Sequence, residues 1–241
     1  TIIAFGDFKQ LLPVKDNGEN SSNLWLNYMF SVIDTEWVNY RNGFSKEYYD
    51  SLIYGKKDYV KEQVKKHSTK KFWNAEVIIA HTNATRNIYN KMMCEREGIK
   101  NLYDVGAKIM CKTNDLKKLR IYNNYNFVVR EYVQGDRRSK DKVTLEHEMI
   151  GQVNIDREDI EKYFEYSYAR TIYNLQGSTI GSYYFAEEDL DWIDGRMGYT
   201  IISRLKGQAT RRTNKQVALN KYLKHAEWDK KERFYKSVEK N

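Results

Sequence analysis

The 241-residue sequence has little proline, cysteine and histidine, and it contains no long apolar run. Two cysteines cannot build a disulfide framework, and four scattered histidines lack the spacing of zinc ligands. A charged fraction of 31% without a spanning apolar run argues against a membrane protein, and no basic-then-apolar leader opens the sequence. These absences favour a protein of a reducing intracellular compartment with no membrane partner.

The single proline, where about twelve would be average, stands beside twenty tyrosines. This skew is typical of AT-rich coding and favours a large DNA virus or an AT-rich unicellular host, with a viral replication site or a virion among the expected locations. The length suits one large domain or two small ones. Residues 205–241 hold eleven Lys or Arg and four Asp or Glu, so they account for +7 of the formal charge of +8. Such a segment suits either a solvated helix or contact with a polyanion.

The hydrophobic pattern is typical of an α/β chain. Residues 1–5 (TIIAF) have the composition of a buried strand, and such a strand needs neighbours, so we expect the sequence to begin inside a domain. Thr82 and Asn83 follow an apolar run at a position where a helix would start. The further predicted strands are 76–80, 182–185 and 199–202, and the predicted helices are 24–31, 44–54 and 83–97.

The pattern changes between residues 106 and 163. Short apolar segments at 107–111, 127–133 and 142–149 are joined by polar turns. This spacing predicts a small antiparallel β unit inserted into the α/β chain.

Four short segments contain residues suited to phosphate chemistry. The first, GDFKQLLPV at 6–14, has the neutral amide of Gln10, which can bond a terminal phosphate or its attacking water. The second, WVNYR at 37–41, ends in Arg41, whose planar guanidinium can bond phosphate oxygens in pairs.

The third segment, YARTIYNLQGST at 168–179, combines hydroxyl and amide groups with Gly177, which permits close approach of the backbone to a phosphate. The fourth, YTIISR at 199–204, ends in Arg204. Each segment is short, and it is their order along the chain that is informative.

In this order the four segments resemble motifs III, IV, V and VI of superfamily 1 DNA helicases of the RecD/PIF-type group, including viral members, and the resemblance covers about residues 1–210. Leu12 replaces the usual proline, Tyr173 stands where the family usually has His, and Asn174 where it usually has Lys. The resemblance implies an α/β fold: the second RecA-like (P-loop NTPase) helicase lobe with a small inserted antiparallel β-barrel. It also implies 5′-to-3′ translocation on single-stranded DNA.

The resemblance further implies a domain plan and a set of site residues. The domains are a remnant of the first lobe at 1–22, the second lobe at 23–105 and 164–210, the inserted barrel at 106–163 and a basic helical tail at 211–241. The residues implied at the nucleotide are Gly6, Asp7, Gln10, Arg41, Gly177 and Arg204, with Gln10, Arg41 and Arg204 catalytic. The residues implied at the nucleic acid are Thr82, Asn83, Thr171, Asn174, Gln176 and Ser178. Arg204 would be the arginine finger, whose loss typically costs about 10³-fold or more in turnover.

The sequence contains no GxxxxGK[ST] phosphate loop. We therefore expect ATP and Mg²⁺ to belong to a complete enzyme that also has the N-terminal RecA-like lobe, in cis or in trans, and we expect this chain alone to be inactive. Glu187, Glu188 and Asp189 are predicted to lie in a solvated loop. The alternative functions are a non-enzymatic nucleic-acid-binding or virion structural module derived from a helicase, and one half of a split enzyme.

Overall fold

The computed structural model describes residues 10–11, 41–137 and 139–207. The predicted strand at 1–5, the predicted helix at 24–31, the site residues Gly6 and Asp7, and the tail from residue 208 lie outside the described residues. The helices are α1 (Lys46–Tyr54), α2 (Lys57–His67), α3 (Asn83–Glu97), α4 (Arg157–Tyr163) and α5 (Gly195–Arg204). The strands are β1 (Val77–Ala80), β2 (Lys108–Cys111), β3 (Asn126–Val133), β4 (Lys142–His147), β5 (Gly151–Asp156), β6 (Phe164–Tyr166), β7 (Ala169–Thr171) and β8 (Tyr183–Phe185).

Strands β7, β1 and β8 form a parallel sheet in that order. All four residues of β1 are apolar and at most 1% exposed, as expected for a strand covered on both faces. Ile79 packs into a core with α1, α2 and α5, whereas Ile78 and Ala80 pack against α3 on the opposite face. The result is an α/β/α arrangement around the sheet.

The five remaining strands form an antiparallel sheet in the order β5-β4-β3-β2-β6. Its core contains Ile109, Phe127 and Leu145, and α4 contributes Ile160 to it. The predicted antiparallel unit and the mixed α/β class are therefore confirmed. Closure into the predicted barrel is not seen among the described residues, because β5 and β6 are the two edges of an open sheet.

The strand predicted at 199–202 is wrong, because these residues belong to helix α5. The run Tyr199-Thr200-Ile201-Ile202 is rich in β-branched residues, which favours a strand by propensity alone. Asp194 caps the helix by accepting a hydrogen bond from the amide of Met197 at 2.8 Å. Helix α5 packs against α1 and α2, and burial of all four residues outweighs the local preference.

Helix α3 lies between the two sheets. Thr82 caps its start by accepting a hydrogen bond from the Thr85 amide at 3.0 Å, and Gly98 ends it with a φ of +70°. Arg86 forms an ion pair with Glu165 of β6 at 2.8 Å. The side chain of buried Asn90 bonds both the carbonyl and the amide of Ala169 in β7. None of the helices in the described ranges is both long and apolar enough to cross a membrane.

Candidate nucleotide and nucleic-acid site

The carboxyl ends of the three parallel strands lie at one edge of their sheet. Strand β1 leads into His81 and Thr82, β7 leads into residues 172–179, and β8 leads into residues 187–192. In open α/β sheets, ligands bind in the crevice outside this edge. Every nucleic-acid residue predicted from the sequence, from Thr82 to Ser178, lies on or next to these segments.

The segment after β7 is a compact turn. Thr171 is buried, residues 173–175 form one turn of 3₁₀-helix, and the amide and hydroxyl of Ser178 both donate to the carbonyl of Leu175, at 3.0 and 2.7 Å. Gly177 has a φ of +87°, which residues with a side chain rarely adopt. Asn174 is half-buried and Gln176 is exposed. The turn therefore presents side-chain amides beside a fixed backbone.

Arg41 joins this turn to helix α5. Its Nε donates to Oγ1 of Thr179 at 3.1 Å, and its Nη1 donates to the carbonyl of Ser203 at 2.7 Å. Its own carbonyl accepts from the amide of Gly207 at 2.8 Å. The structure thus brings together the second, third and fourth segments that the sequence singles out.

Asn42 holds the backbone next to Arg41, and the sequence analysis missed it. Its Nδ2 donates to the carbonyls of Ile202 and Leu205, at 3.2 and 2.9 Å, and its Oδ1 accepts from the hydroxyl of Tyr49 at 2.8 Å. Carbonyls at a helix C-terminus lack partners within the helix, so a buried side-chain amide is a suitable cap. The signal in the sequence that could have identified Asn42 was its position next to Arg41.

The first segment reaches the same place through its two described residues. Nη1 of Arg196 donates to the carbonyl of Gln10 at 3.1 Å, and Nε2 of Gln176 donates to the carbonyl of Leu11 at 3.3 Å. Gln10 therefore lies beside the start of α5 and the turn after β7. All four segments converge, although Leu11 and Gln176 are separated by 165 positions in the sequence.

Arg204 lies in the last turn of α5 and is only 5% exposed. Its carbonyl accepts from the amide of Ile180 at 2.9 Å, and the carbonyl of Ile180 accepts from the amide of Lys206 at 2.7 Å. Arg41 is more accessible, since it is half-buried. The two arginines are thus anchored to the same lobe, with Arg204 the more enclosed.

The prediction of a solvated loop at 187–189 is wrong for Asp189, which is 3% exposed. Its Oδ2 accepts from the amides of His81 and Thr82, at 2.6 and 3.2 Å, and its Oδ1 accepts from the hydroxyl of Thr85 at 3.0 Å. A carboxylate is favourable at a helix N-terminus. Asp189 therefore ties the segment after β8 to the start of α3. The amides of His81 and Thr82 therefore already have an acceptor in this carboxylate, whereas Asn83 is exposed to solvent.

Arg170, in β7, was not singled out from the sequence. It is 8% exposed, and within the described residues its Nε has no hydrogen-bond partner. Burial lowers the pKa of its guanidinium to about 10, and Glu76 partly opposes this shift. Its neighbours in the strand, Ala169 and Thr171, are also buried.

The converging residues suit one side of a nucleotide-phosphate site. Arginine guanidinium groups and the Gln10 amide are donors that phosphate oxygens accept. They do not suit Mg²⁺, which prefers oxygen ligands. No cluster of three or more His, Cys, Asp or Glu side chains that could hold a metal occurs in the described part of the chain.

No protein-family model matches the chain, and comparison with curated proteins finds no match. Solved structures of Pif1 helicases are similar to it. The Pif1 helicase from Candida albicans has 15% identity and a TM-score of 0.54, over 90% of this chain and 67% of that one. Pif1 from Bacteroides in complex with ADP-AlF3 and ssDNA has 13% identity and a TM-score of 0.54, over 92% and 66%. Bacteroides Pif1 bound to ssDNA has 14% identity and a TM-score of 0.53, over 93% and 66%.

The chain therefore spans about two thirds of the length of these helicases. At such low identity the similarity concerns the fold. The chain has a helicase-like α/β fold, similar to that of the Pif1 helicases.

Proposed function

We propose that this chain is the C-terminal motor lobe of an ATP-dependent DNA helicase. The observation that carries the proposal is the convergence of four sequence segments through the bonds of Arg41 to Thr179 and Ser203, of Gln176 to Leu11, and of Arg196 to Gln10. A helicase lobe needs this arrangement, because the state of the bound nucleotide must change the affinity for DNA through one loop. Within this proposal, the antiparallel sheet corresponds to the inserted β unit of the lobe.

The chain's own residues would act on a nucleotide phosphate from one side. Gln10 would bond the terminal phosphate or its attacking water without fixing it by charge. Arg41 and Arg204 would stabilise negative charge that develops on the transferred group. ATP would supply the free energy for movement along the strand, with its phosphate loop and Mg²⁺ ligands contributed by a first RecA-like lobe in cis or in trans.

Single-stranded DNA is the proposed substrate of the carboxyl edge. Asn174 and Gln176 have side-chain amides there, Ser178 lies in the same turn, and Asn83 is exposed at the start of α3, whereas Thr171 is buried. These groups suit phosphate and sugar contacts, which position a strand without reading its sequence. Two of the similar Pif1 structures are complexes with ssDNA, which supports this substrate.

The second candidate function is a nucleic-acid-binding module without enzymatic activity. The sequence has no phosphate loop, and it has a net charge of +7 in residues 205–241. In this case the tail would supply most of the affinity through phosphate contacts.

Binding of a fluorescent oligo-dT by the full chain tests the proposal and separates the two candidates. We expect replacement of both Asn174 and Gln176 by Ala to weaken binding on the order of tenfold, because a hydrogen bond to a charged phosphate contributes about 1.5 kcal/mol or more. Gln152→Ala is the matched control, since Gln152 is an exposed amide on β5, away from the site.

Removal of residues 208–241 isolates the contribution of the tail, and circular dichroism verifies that the truncated chain is folded. If this truncation abolishes binding and the double substitution has no effect, the DNA contacts reside in the tail and the edge assignment fails. If the truncated chain still binds oligo-dT and remains sensitive to the double substitution, the edge assignment is supported.

A further inference from the structure

We propose that Trp192 and His81 form a platform on which one base of single-stranded DNA stacks. This inference rests on the proposed function and assigns a base subsite to two residues that belong to none of the four converging segments.

The platform is a pair of parallel rings with one broad exposed surface. The ring centroids of Trp192 and His81 are 5.9 Å apart, and the interplanar angle is 7°. Trp192 is 63% exposed. Trp73 is also exposed, but cationic groups of Lys71 and Arg96 lie over its ring, at 5.4 and 4.8 Å from the centroid.

Both rings lie at the carboxyl edge of the parallel sheet. His81 follows β1 directly and precedes Thr82, the first predicted DNA residue, while Trp192 ends the 3₁₀ segment that follows β8. Asp189 fastens the two loops together through its bonds to the amides of His81 and Thr82. The platform is therefore built before the strand arrives, which lowers the entropic cost of binding.

A row of lysines flanks the platform. Lys57, Lys61 and Lys65 recur every four residues on α2 and so share one face of the helix. Lys61 forms an ion pair at 2.7 Å with Asp191, the residue before Trp192. The hydrogen bond from Lys61 lowers the pKa of Asp191, and the charges of Lys61, Lys57 and Lys65 lower it further. The charges of all three lysines thus act on Asp191, the chain neighbour of Trp192.

An aromatic surface beside a line of positive charge favours a nucleobase as the occupant. Proteins that bind single strands without sequence preference combine these two features, with bases stacked on aromatic rings and basic groups along the backbone. Three of the four acidic residues of the same segment are engaged, and the fourth, Glu187, is exposed: Asp191 bonds Lys61, Asp189 bonds the loop amides, and Glu188 accepts from the hydroxyl of Tyr89.

The test measures the affinity of protein variants for an oligo-dT and combines them with changes in the oligonucleotide, as in a double-mutant cycle. The oligo-dT is the shortest one that the full chain binds with full affinity. Trp192→Ala should weaken binding about tenfold, since stacking contributes about 1–3 kcal/mol per base. Trp192→Phe should retain most of the affinity, because it keeps an aromatic face. Trp73→Ala is the matched control and should stay within twofold of the original protein.

Abasic nucleotides placed one at a time along the oligo-dT then locate the subsite. At a single position the abasic substitution and Trp192→Ala should together cost no more than either alone. Replacing Lys57 and Lys65 by Gln should reduce the slope of log affinity against log salt by about 1, whereas Trp192→Ala should leave that slope unchanged.

Equal affinities of Trp192→Ala and Trp73→Ala for an oligo that the original protein binds would overturn the platform and leave the proposed function standing. Failure of the original protein to bind oligo-dT at low salt would overturn both.

Discussion

Asp189 is the residue with the greatest structural effect at the candidate site. Its carboxylate accepts three hydrogen bonds while being 3% exposed, and these bonds join the segments that follow β1 and β8. Removal of one partner from a buried network leaves donors without acceptors, which costs more than the bonds themselves contribute. The geometry of the carboxyl edge therefore depends on this acid.

Asp189→Ala should lower the free energy of unfolding by about 1–3 kcal/mol, since it leaves the part-buried amides of His81 and Thr82 without their acceptor. Asp189→Asn should cost less, because one amide oxygen can still accept from both backbone groups and the Thr85 hydroxyl can rotate to accept from the new NH₂. Chemical denaturation followed by circular dichroism measures both variants.

Glu187→Ala is the control for Asp189, because it removes an exposed acid from the same 3₁₀ segment. An Asp189→Ala variant as stable as Glu187→Ala would show that these hydrogen bonds do not stabilise the fold.

The sequence predicted the residue types of the site better than their contacts. The resemblance singled out Arg41 and Arg204 from short motifs, but it could not predict that Arg41 bonds Thr179 and Ser203, at separations of 138 and 162 residues. Asp189 was assigned to a solvated loop because the acids at 187–189 do not lie where the resemblance places the acidic strand end that holds Mg²⁺. Only the pairing of β8 beside β1 brings the third acid to the amide groups that it bonds.

At the scale of elements, helix α5 is the support of the site. It contains Arg204 and Ser203 and packs against both α1 and α2. Gly198 allows the close approach of α2, because a Cβ atom built there would lie 2.4 Å from Cγ1 of Val60. The absence of a side chain at this position therefore sets how deeply α5 lies against its neighbours.

Gly198→Ala should destabilise the fold by about 1 kcal/mol. Overpacking costs about 1–3 kcal/mol, and the better helix propensity of Ala offsets up to about 1 kcal/mol of it. The double variant with Val60→Ala should lose less stability than the two single losses added together, since the shorter side chain makes room for the new methyl group. Thermal unfolding measures this coupling.

Gly43→Ala is the matched control, because a Cβ atom there would have no heavy atom within 4 Å. Additive losses in the Val60 and Gly198 pair would contradict the packing account of α5.

The elements that could be predicted from the sequence are those whose pattern agrees with their environment. The apolar run at β1, the cap at Thr82 and the alternating strands β3 and β4 each have a single local interpretation, and each prediction is confirmed. Helix α5 was misassigned because its β-branched run at Thr200, Ile201 and Ile202 favours a strand by propensity, and only packing against α1 and α2 favours a helix. The order β7-β1-β8 could not be predicted, since its partners lie about 90 to 105 residues apart.

At the scale of the whole molecule, nearly all of the net positive charge lies in residues 205–241. The 204 residues outside 205–241 have a net charge of only +1. Under the proposed function, DNA binding by these 204 residues would therefore depend on the geometry of the carboxyl edge, the amides after β7 and the lysine row on α2. The convergence of the four segments on one lobe is the feature that favours a motor over a passive binding module.

The most direct test of this account is ATP hydrolysis by a polypeptide that joins this chain to a phosphate-loop lobe, measured with and without oligo-dT. The account predicts hydrolysis stimulated by oligo-dT, and it predicts that Arg204→Ala lowers kcat by about 10³-fold or more without a comparable loss of DNA affinity. Arg204→Lys keeps the charge and removes the planar guanidinium, so it separates the two contributions. A melting curve verifies that each variant is folded. Lys206→Ala is the control at an exposed neighbour, and its kcat should stay within twofold of the original value. Unchanged turnover in a folded Arg204→Ala variant would contradict the assignment.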